Sequence, residues 1–346
     1  MSDIGEAFLR QASACAHLGS PFMQRLMTLF AFNLAPGCVV ADRILDWPGD
    51  PSADGDSVPL RIAAGLHALA RQGHPYLSVV YPPNDPDDGS LWGVVQATLE
   101  TEEEALMHWL DSPPQTNEVR RASVLIPAIH MLTDRFREPL RLVEIGASAG
   151  LNLCADRFCL TAGNHTFGDP ESQVQLTPDW TGPVPEPTDP FIGARMGIDL
   201  APVDLLNGRE RLLAYIWPDQ DDRIALTEAA ILIGRLIRPR MVEADAVEWL
   251  ADPGPTLQKR SLTLIYHTIA WQYLTPEAQA EGDALIAAAG ETATPEKRLA
   301  RLAMEADDDA ASVTLQVWPD GATFDLGRAD YHGRWVEWYG DTLPED

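Results

Sequence analysis

The chain has 346 residues, 45% of them hydrophobic, and carries 52 acidic against 25 basic side chains, for a net charge of −27. That length allows about two domains with a sizeable core. A field of that sign repels nucleic-acid backbones and anionic membranes, so neither is expected as a partner. No apolar run reaches the ~20 residues of a membrane span. The opening MSDIGEAFLRQ lacks a basic region followed by an apolar stretch. The four cysteines, Cys15, Cys38, Cys154 and Cys159, form no C-x-x-C pair, which predicts a reduced, cytoplasmic protein.

Residues 1–137 read as a helical N-terminal domain. Ser20-Pro21 offers an N-cap followed by a proline at the first helical position, and Phe22, Leu26, Leu29, Phe30 and Phe32 follow it. Ser57 opens a second helix with Leu60, Ala63, Ala64, Leu66 and Leu69 on its apolar side. Leu91–Leu110 and Val119–Phe136 repeat the period near 3.6. Between them lie loops rich in Pro, Gly and Asp, and one strand candidate, Tyr76–Tyr81.

From residue 138 onward short apolar runs alternate with helical segments, as in a parallel α/β sheet. The expected strands are 141–145, 193–199, 240–244, 261–266, 298–304, 313–318 and 322–327. The expected helices are about 149–157, 208–237 (broken at Pro218), 246–251 and 276–289, with an inserted hairpin and loop near 160–190. Only Pro319-Asp320-Gly321 separates the last two strands, so they are expected to pair antiparallel.

The most informative stretch is Glu144-Ile145-Gly146-Ala147-Ser148-Ala149-Gly150, an apolar run ending in an acid and then a turn with glycines at both ends. Two chemistries use such a strand–turn–helix. One cradles a nucleotide-like ligand against backbone N–H groups. The other is the nucleophile elbow, because Gly146-Ala147-Ser148-Ala149-Gly150 satisfies G-x-S-x-G, with Asp245 and His267 or His332 downstream in an allowed order. The elbow normally follows several strands, whereas the upstream residues here read as helical.

A mostly parallel sheet ending in an antiparallel hairpin resembles the class I S-adenosylmethionine-dependent methyltransferases, with a Rossmann-like, seven-stranded fold. The chain also resembles an uncharacterised bacterial family (domain of unknown function 2332). That likeness rests on Gly146–Leu153, Arg195–Pro202, Trp217-Pro218-Asp219-Gln220 and His332-Gly333-Arg334-Trp335. The methyltransferase resemblance implies S-adenosylmethionine as cofactor and a small molecule as acceptor. Glu144 would hold the amino-acid end, and Gly146, Ala147, Ser148 and Gly150 would form the cradle, with Ser148 in place of the family's middle glycine. Asp199 would hold the ribose hydroxyls, and Asp245 with the N–H of Ala246 would flank the adenine. The N-terminal helices would cover the acceptor pocket. His267, at the end of a buried strand, is the candidate base. A non-catalytic protein of this fold, binding a nucleoside-like ligand or serving an interaction, is the alternative, and a serine hydrolase using Ser148 a remote one. No metal site is expected, because Cys154, Cys159 and His165 match no zinc spacing. Oligomeric state is not legible.

Overall fold

The computed structural model describes residues 3–340 and 343. The chain divides into two compact units, residues 1–116 with 207–225, and residues 117–206 with 226–346.

The first unit is built from α1 (Asp3–His17), α2 (Pro21–Asn33), α3 (Val39–Leu45), α4 (Val58–Arg71), α5 (Leu77–Val80), α6 (Asp88–Thr101) and α7 (Glu103–Asp111). Phe8 stacks on Phe30 at 5.0 Å, and Phe30 meets Trp92 edge-on at 5.2 Å, around a core that includes Leu26, Ile44, Ile62 and Leu66. Ser20 caps α2 by accepting the N–H of Met23. The strand expected over Tyr76–Tyr81 is instead helix α5. Leu77 and Val80 are buried while Tyr76 and Val79 are exposed, and that i, i+3 spacing suits a helical turn. Trp217 packs into the same core, and Asp219 accepts the Ser20 hydroxyl and the N–H of Phe22. Gln220 donates to the carbonyl of Leu18. The Trp217-Pro218-Asp219-Gln220 stretch is therefore a structural clasp on the α1–α2 corner, its carboxylate at a helix N-terminus where negative charge is favoured.

The second unit opens with α8 (Ala122–Phe136), so the helices expected as one domain over 1–137 part at residue 116. Its strands are β1 (Leu140–Ile145), β2 (Cys159–Ala162), β3 (His165–Phe167), β4 (Gln175–Leu176), β5 (Asp179–Thr181) and β6 (Ile192–Asp199). After α9 (Arg209–Ala214), which belongs to the first unit, and α10 (Asp221–Ile237), which runs across the division at residue 225, come β7 (Arg240–Glu243), α11 (Ala246–Ala251), β8 (Ser261–Thr268) and α12 (Pro276–Glu291). The chain finishes with β9 (Lys297–Asp307), β10 (Ala310–Trp318), β11 (Ala322–Ala329) and β12 (Trp335–Trp338).

The main sheet has nine strands, in the order β5-β12-β11-β10-β9-β8-β1-β6-β7. The block β7-β6-β1-β8-β9 is parallel, while β9, β10, β11 and β12 are successively antiparallel. All seven expected strands are in it. The two beyond the expected seven, β5 and β12, are three and four residues long and pair with each other at the far edge, where Trp180 stacks on Trp338. Strands β2, β3 and β4 form a small separate sheet at the expected insertion. The helix expected near 149–157 is a 3₁₀ segment, Asn152–Arg157. The Asn117 side chain takes the N–H groups of Ala149 and Leu151, in place of a helical ladder. One face of the sheet packs Val143, Ile145, Ile198 and Ile265 against Trp249, Leu250 and Ile286 from α11 and α12. From β1 the chain winds outward through β6 and β7, then returns to β8 on the other side of β1. The glycine turn after β1 thus lies at a switch point, where ligands of open α/β sheets bind.

Candidate ligand site at the carboxyl edge

The residues singled out in the sequence lie on four adjacent strands of that edge. Glu144 lies in β1, with Gly146, Ala147, Ser148 and Gly150 in the turn after it. Asp199 ends β6, Asp245 and Ala246 follow β7, and His267 is near the end of β8. Their surroundings differ sharply.

The turn itself is tied down. Gly146 and Ala147 donate their N–H groups to the Ile198 carbonyl at 2.9 and 3.1 Å. Ser148 donates to Asp199 Oδ2 at 2.7 Å, and Ala149 and Leu151 donate to Asn117 Oδ1 at 3.3 and 3.0 Å. Gly150 donates to the carbonyl of Ala147 at 2.7 Å. Every N–H from 146 to 151 therefore has an acceptor within the chain, and the short 3₁₀ segment that follows supplies no long helix N-terminus. Gly146, Ser148 and Gly150 all hold positive φ, at 71°, 52° and 71°. A Cβ at Gly146 would come within 2.6 Å of the Ala270 methyl, and one at Gly150 within 2.8 Å of the Met241 sulfur. Both glycines therefore serve close packing as well as the turn. The backbone of Gly146 nevertheless remains exposed.

Glu144 is only 2% exposed and accepts the Tyr266 hydroxyl at 3.2 Å. Burial pushes its carboxyl up to about 8, against the opposing hydrogen bond from Tyr266, and the Asp199 charge adds to the rise. It is therefore mainly neutral at pH 7 and cannot pair with an ammonium as a carboxylate would. Burial, followed by the neighbouring Glu144, raises the Tyr266 phenol as well.

His267 is fully buried with both ring nitrogens engaged. Nδ1 lies 2.6 Å from Glu305 Oε1, and Nε2 accepts the Nε–H of Arg301 at 3.0 Å. That pattern assigns a neutral imidazole with its proton on Nδ1, in line with burial lowering its affinity for a second proton. Burial acts to raise Glu305, but hydrogen bonds from His267 and from the Ala270 and Trp271 N–H groups outweigh it, and its carboxyl sits below the usual range. Arg301 continues to Asp283 at 2.7 Å and lies over the Trp271 ring, which stacks on His267. The imidazole thus fastens the loop after β8 to β9, and offers no lone pair for a substrate proton.

Asp199 and Asp245 are half-buried. Asp199 accepts from Ser148 through Oδ2 and from the Ala201 N–H through Oδ1 at 2.9 Å, leaving each oxygen a second lone pair. Asp245 caps α11 through Oδ1 alone, which takes the N–H groups of Val247 and Glu248 at 2.8 and 3.1 Å. Its Oδ2 and the first-turn N–H of Ala246 have no partner among the described residues, so an acceptor and a donor stand side by side. The Ala244 N–H donates to the Asp199 carbonyl, which joins the two acidic strand ends.

Four residues that shape this edge were not legible as site residues: Asn117, Tyr266, Arg301 and Glu305. The register gives a signal for two of them. His267 pairs with Ala303 on β9, so Arg301 and Glu305, two residues to either side, flank it on the same face. A cavity of about 380 Å³ beside the turn is lined by Ala149, Val203, Leu205, Gly234 and Met241, not by Glu144, Asp199 or Asp245. Among the described residues no group of three His, Cys, Asp or Glu could hold a metal ion. None of their helices is long and apolar enough to cross a membrane.

The family described as "uncharacterized protein conserved in bacteria" (domain of unknown function 2332) matches residues 5–338, and the chain belongs to that family. A comparison with curated proteins finds no match.

Proposed function

We propose that the carboxyl edge binds the adenosine part of a small molecule, on a methyltransferase-like α/β scaffold that does not itself transfer methyl groups. The observation that carries this reading is the unpartnered pair at the end of β7, Asp245 Oδ2 beside the Ala246 N–H. An acceptor next to a donor complements the adenine edge, where an exocyclic amine adjoins a ring nitrogen. Asp199, one strand nearer the centre, keeps lone pairs for a vicinal diol, and the exposed Gly146 backbone leaves room between the strand ends. The parallel block with its switch point at β1 and the antiparallel strands at its end support the methyltransferase-like reading of the sheet.

The remainder of S-adenosylmethionine fits less well. A neutral Glu144 buried under Tyr266 is a poor partner for an ammonium, and the Ala270 methyl fills the space beside Gly146. His267 has no free nitrogen to act as a base. The same fact weighs against a hydrolase at Ser148, since a serine nucleophile needs an imidazole nitrogen to take its proton.

Calorimetric titration of the full chain with adenosine, S-adenosylhomocysteine and S-adenosylmethionine tests the reading. The expected result is binding of all three with affinities within about tenfold of one another, because the shared nucleoside carries the recognition. Asp245→Asn retains the cap oxygen and replaces the open acceptor by a donor, and should weaken all three at least tenfold. Absence of heat from every ligand overturns the proposal. S-adenosylhomocysteine binding more than a hundredfold tighter than adenosine would instead restore a cofactor site.

A further inference from the structure

The opposite edge of the same sheet holds a larger cavity, of about 680 Å³, which lies within the size range of small-molecule sites. It opens at the amino ends of β1, β6, β7 and β8, under the loops before β7 and β8. Its floor is apolar, with Met196, Val242 and Trp249. Four arginines line it, Arg141, Arg195, Arg238 and Arg240, and no carboxylate does. In a chain with twice as many acids as bases this is unusual. Of the four, Arg195 pairs with Asp156, as Arg298 pairs with Glu138 and Arg334 with Asp330 away from the cavity. By contrast Arg141 donates only to the neutral Gln258 amide, and Arg238 to the Arg235 carbonyl. Arg240 has no partner among the described residues.

A second, independent observation lies in the wall. Thr263 is 2% exposed, its hydroxyl has no hydrogen-bond partner, and it lines this cavity next to Arg141, its register partner across β1 and β8. A buried hydroxyl without a partner carries a desolvation cost of roughly 1–3 kcal/mol that a bound oxygen acceptor would relieve.

From these groups we infer that the amino edge binds an organic anion: a carboxylate or phosphate head held by Arg141 and Arg240 near the Thr263 hydroxyl, with an apolar body along Met196, Val242 and Trp249. Arginine suits both heads because its fork of N–H donors matches two oxygens at once. The inference goes beyond the nucleoside proposal and does not depend on it, since the two sites occupy opposite edges.

Titration of the full chain with octanoate, octyl phosphate, 1-octanol and octyltrimethylammonium tests it. Octanoate or octyl phosphate should bind at least tenfold more tightly than octanol, and the cationic amphiphile should give no heat. The tighter of the two anions identifies the head group. Arg240→Ala, at an exposed and unpaired side chain, should weaken the anion at least fivefold while leaving adenosine titration unchanged. Thr263→Val, which preserves the shape of the wall, should weaken it about threefold or more. The proposal is overturned if neither anion binds, if octanol binds as well as the anions, or if neither variant weakens binding.

Discussion

The two edges of one sheet manage their polar groups in opposite ways. At the carboxyl edge nearly every donor and acceptor of the glycine turn and of the loop after β8 is satisfied within the chain. Asp199 holds Ser148, Asn117 holds Ala149 and Leu151, and Glu305 holds His267 and the Ala270–Gln272 backbone. At the amino edge four arginines line a cavity without a carboxylate, only Arg195 among them being ion-paired, and a buried hydroxyl has no partner. A polar group satisfied internally is evidence for stability, whereas an unsatisfied one points toward a ligand. The edge that resembles a cofactor site in sequence is thus largely committed to holding itself together. Among the described residues Asp245 Oδ2 and the Ala246 N–H stay open there, beside the spare lone pairs of Asp199 and the unpartnered Trp271 indole N–H.

The sharpest way to break this comparison is to remove the acceptor on which the carboxyl edge depends most. Glu305→Ala would strand the buried His267 proton and three backbone N–H groups, and should cost on the order of 4 kcal/mol in urea-unfolding free energy. Arg240→Ala at the other edge removes no internal partner and should stay within about 0.5 kcal/mol of the parent. Glu305→Gln, which keeps one acceptor oxygen, should lose about half as much as the alanine variant and guards against a chain too unstable to measure. Equal losses from Glu305→Ala and Arg240→Ala would dissolve the contrast between the edges.

The pH dependence of stability sharpens the role of Glu144. The folded protein holds that proton up to about 8, while an unfolded chain releases it near the ordinary 4.5. The folded state therefore binds more protons between those values. The linkage makes this group's contribution to stability fall as pH rises from about 4.5 to about 8 and level off above. Glu144→Gln keeps an acceptor for the Tyr266 hydroxyl without the ionisation. It should remove that slope and leave the variant more stable than the parent at pH 8.5, by an amount on the order of 4 kcal/mol. Denaturant titrations at pH 5 and pH 8.5 read the difference. A variant that is less stable at both pH values and has lost S-adenosylhomocysteine binding would place an ionised carboxylate against a ligand instead.

Much of this organisation was legible because it depends on local periodicity. All seven expected strands are present, since each is a bounded apolar run, and the caps at Ser20 and Asp245 follow from short polar side chains before helical segments. Strands β5 and β12 escaped because three or four residues carry too little alternation, and their pairing joins residues far apart in the chain. The Tyr76–Tyr81 run is a helix where a strand is expected because a six-residue, mostly apolar segment suits either period, and burial of Leu77 with Val80 decides it. In the site, the positions of Glu144, Asp199, Asp245 and His267 at strand ends were readable. Their states were not. Whether an acid is open or engaged depends on partners from distant segments: Tyr266 for Glu144, Ser148 for Asp199, Arg301 and Glu305 for His267.

Ser148 is where the two kinds of information meet most closely. In sequence it stands in place of the glycine that would let a cofactor approach, and Ser148→Gly is the obvious repair. The backbone at 148 already adopts the left-handed conformation, with φ 52°, and its N–H is engaged by Asp199. Glycine would relieve a strain of about 1 kcal/mol while losing whatever the hydroxyl contributes, so the net change in stability should stay within about 1 kcal/mol. Neither the turn nor its hydrogen bonds would move, and the Ala270 methyl would still fill the space beside Gly146. Affinities for adenosine and S-adenosylhomocysteine in Ser148→Gly should therefore match the parent within about twofold. A gain of tenfold or more for S-adenosylhomocysteine alone would mean that the serine side chain, and not the internal hydrogen bonding of the edge, keeps the amino-acid half of the cofactor out.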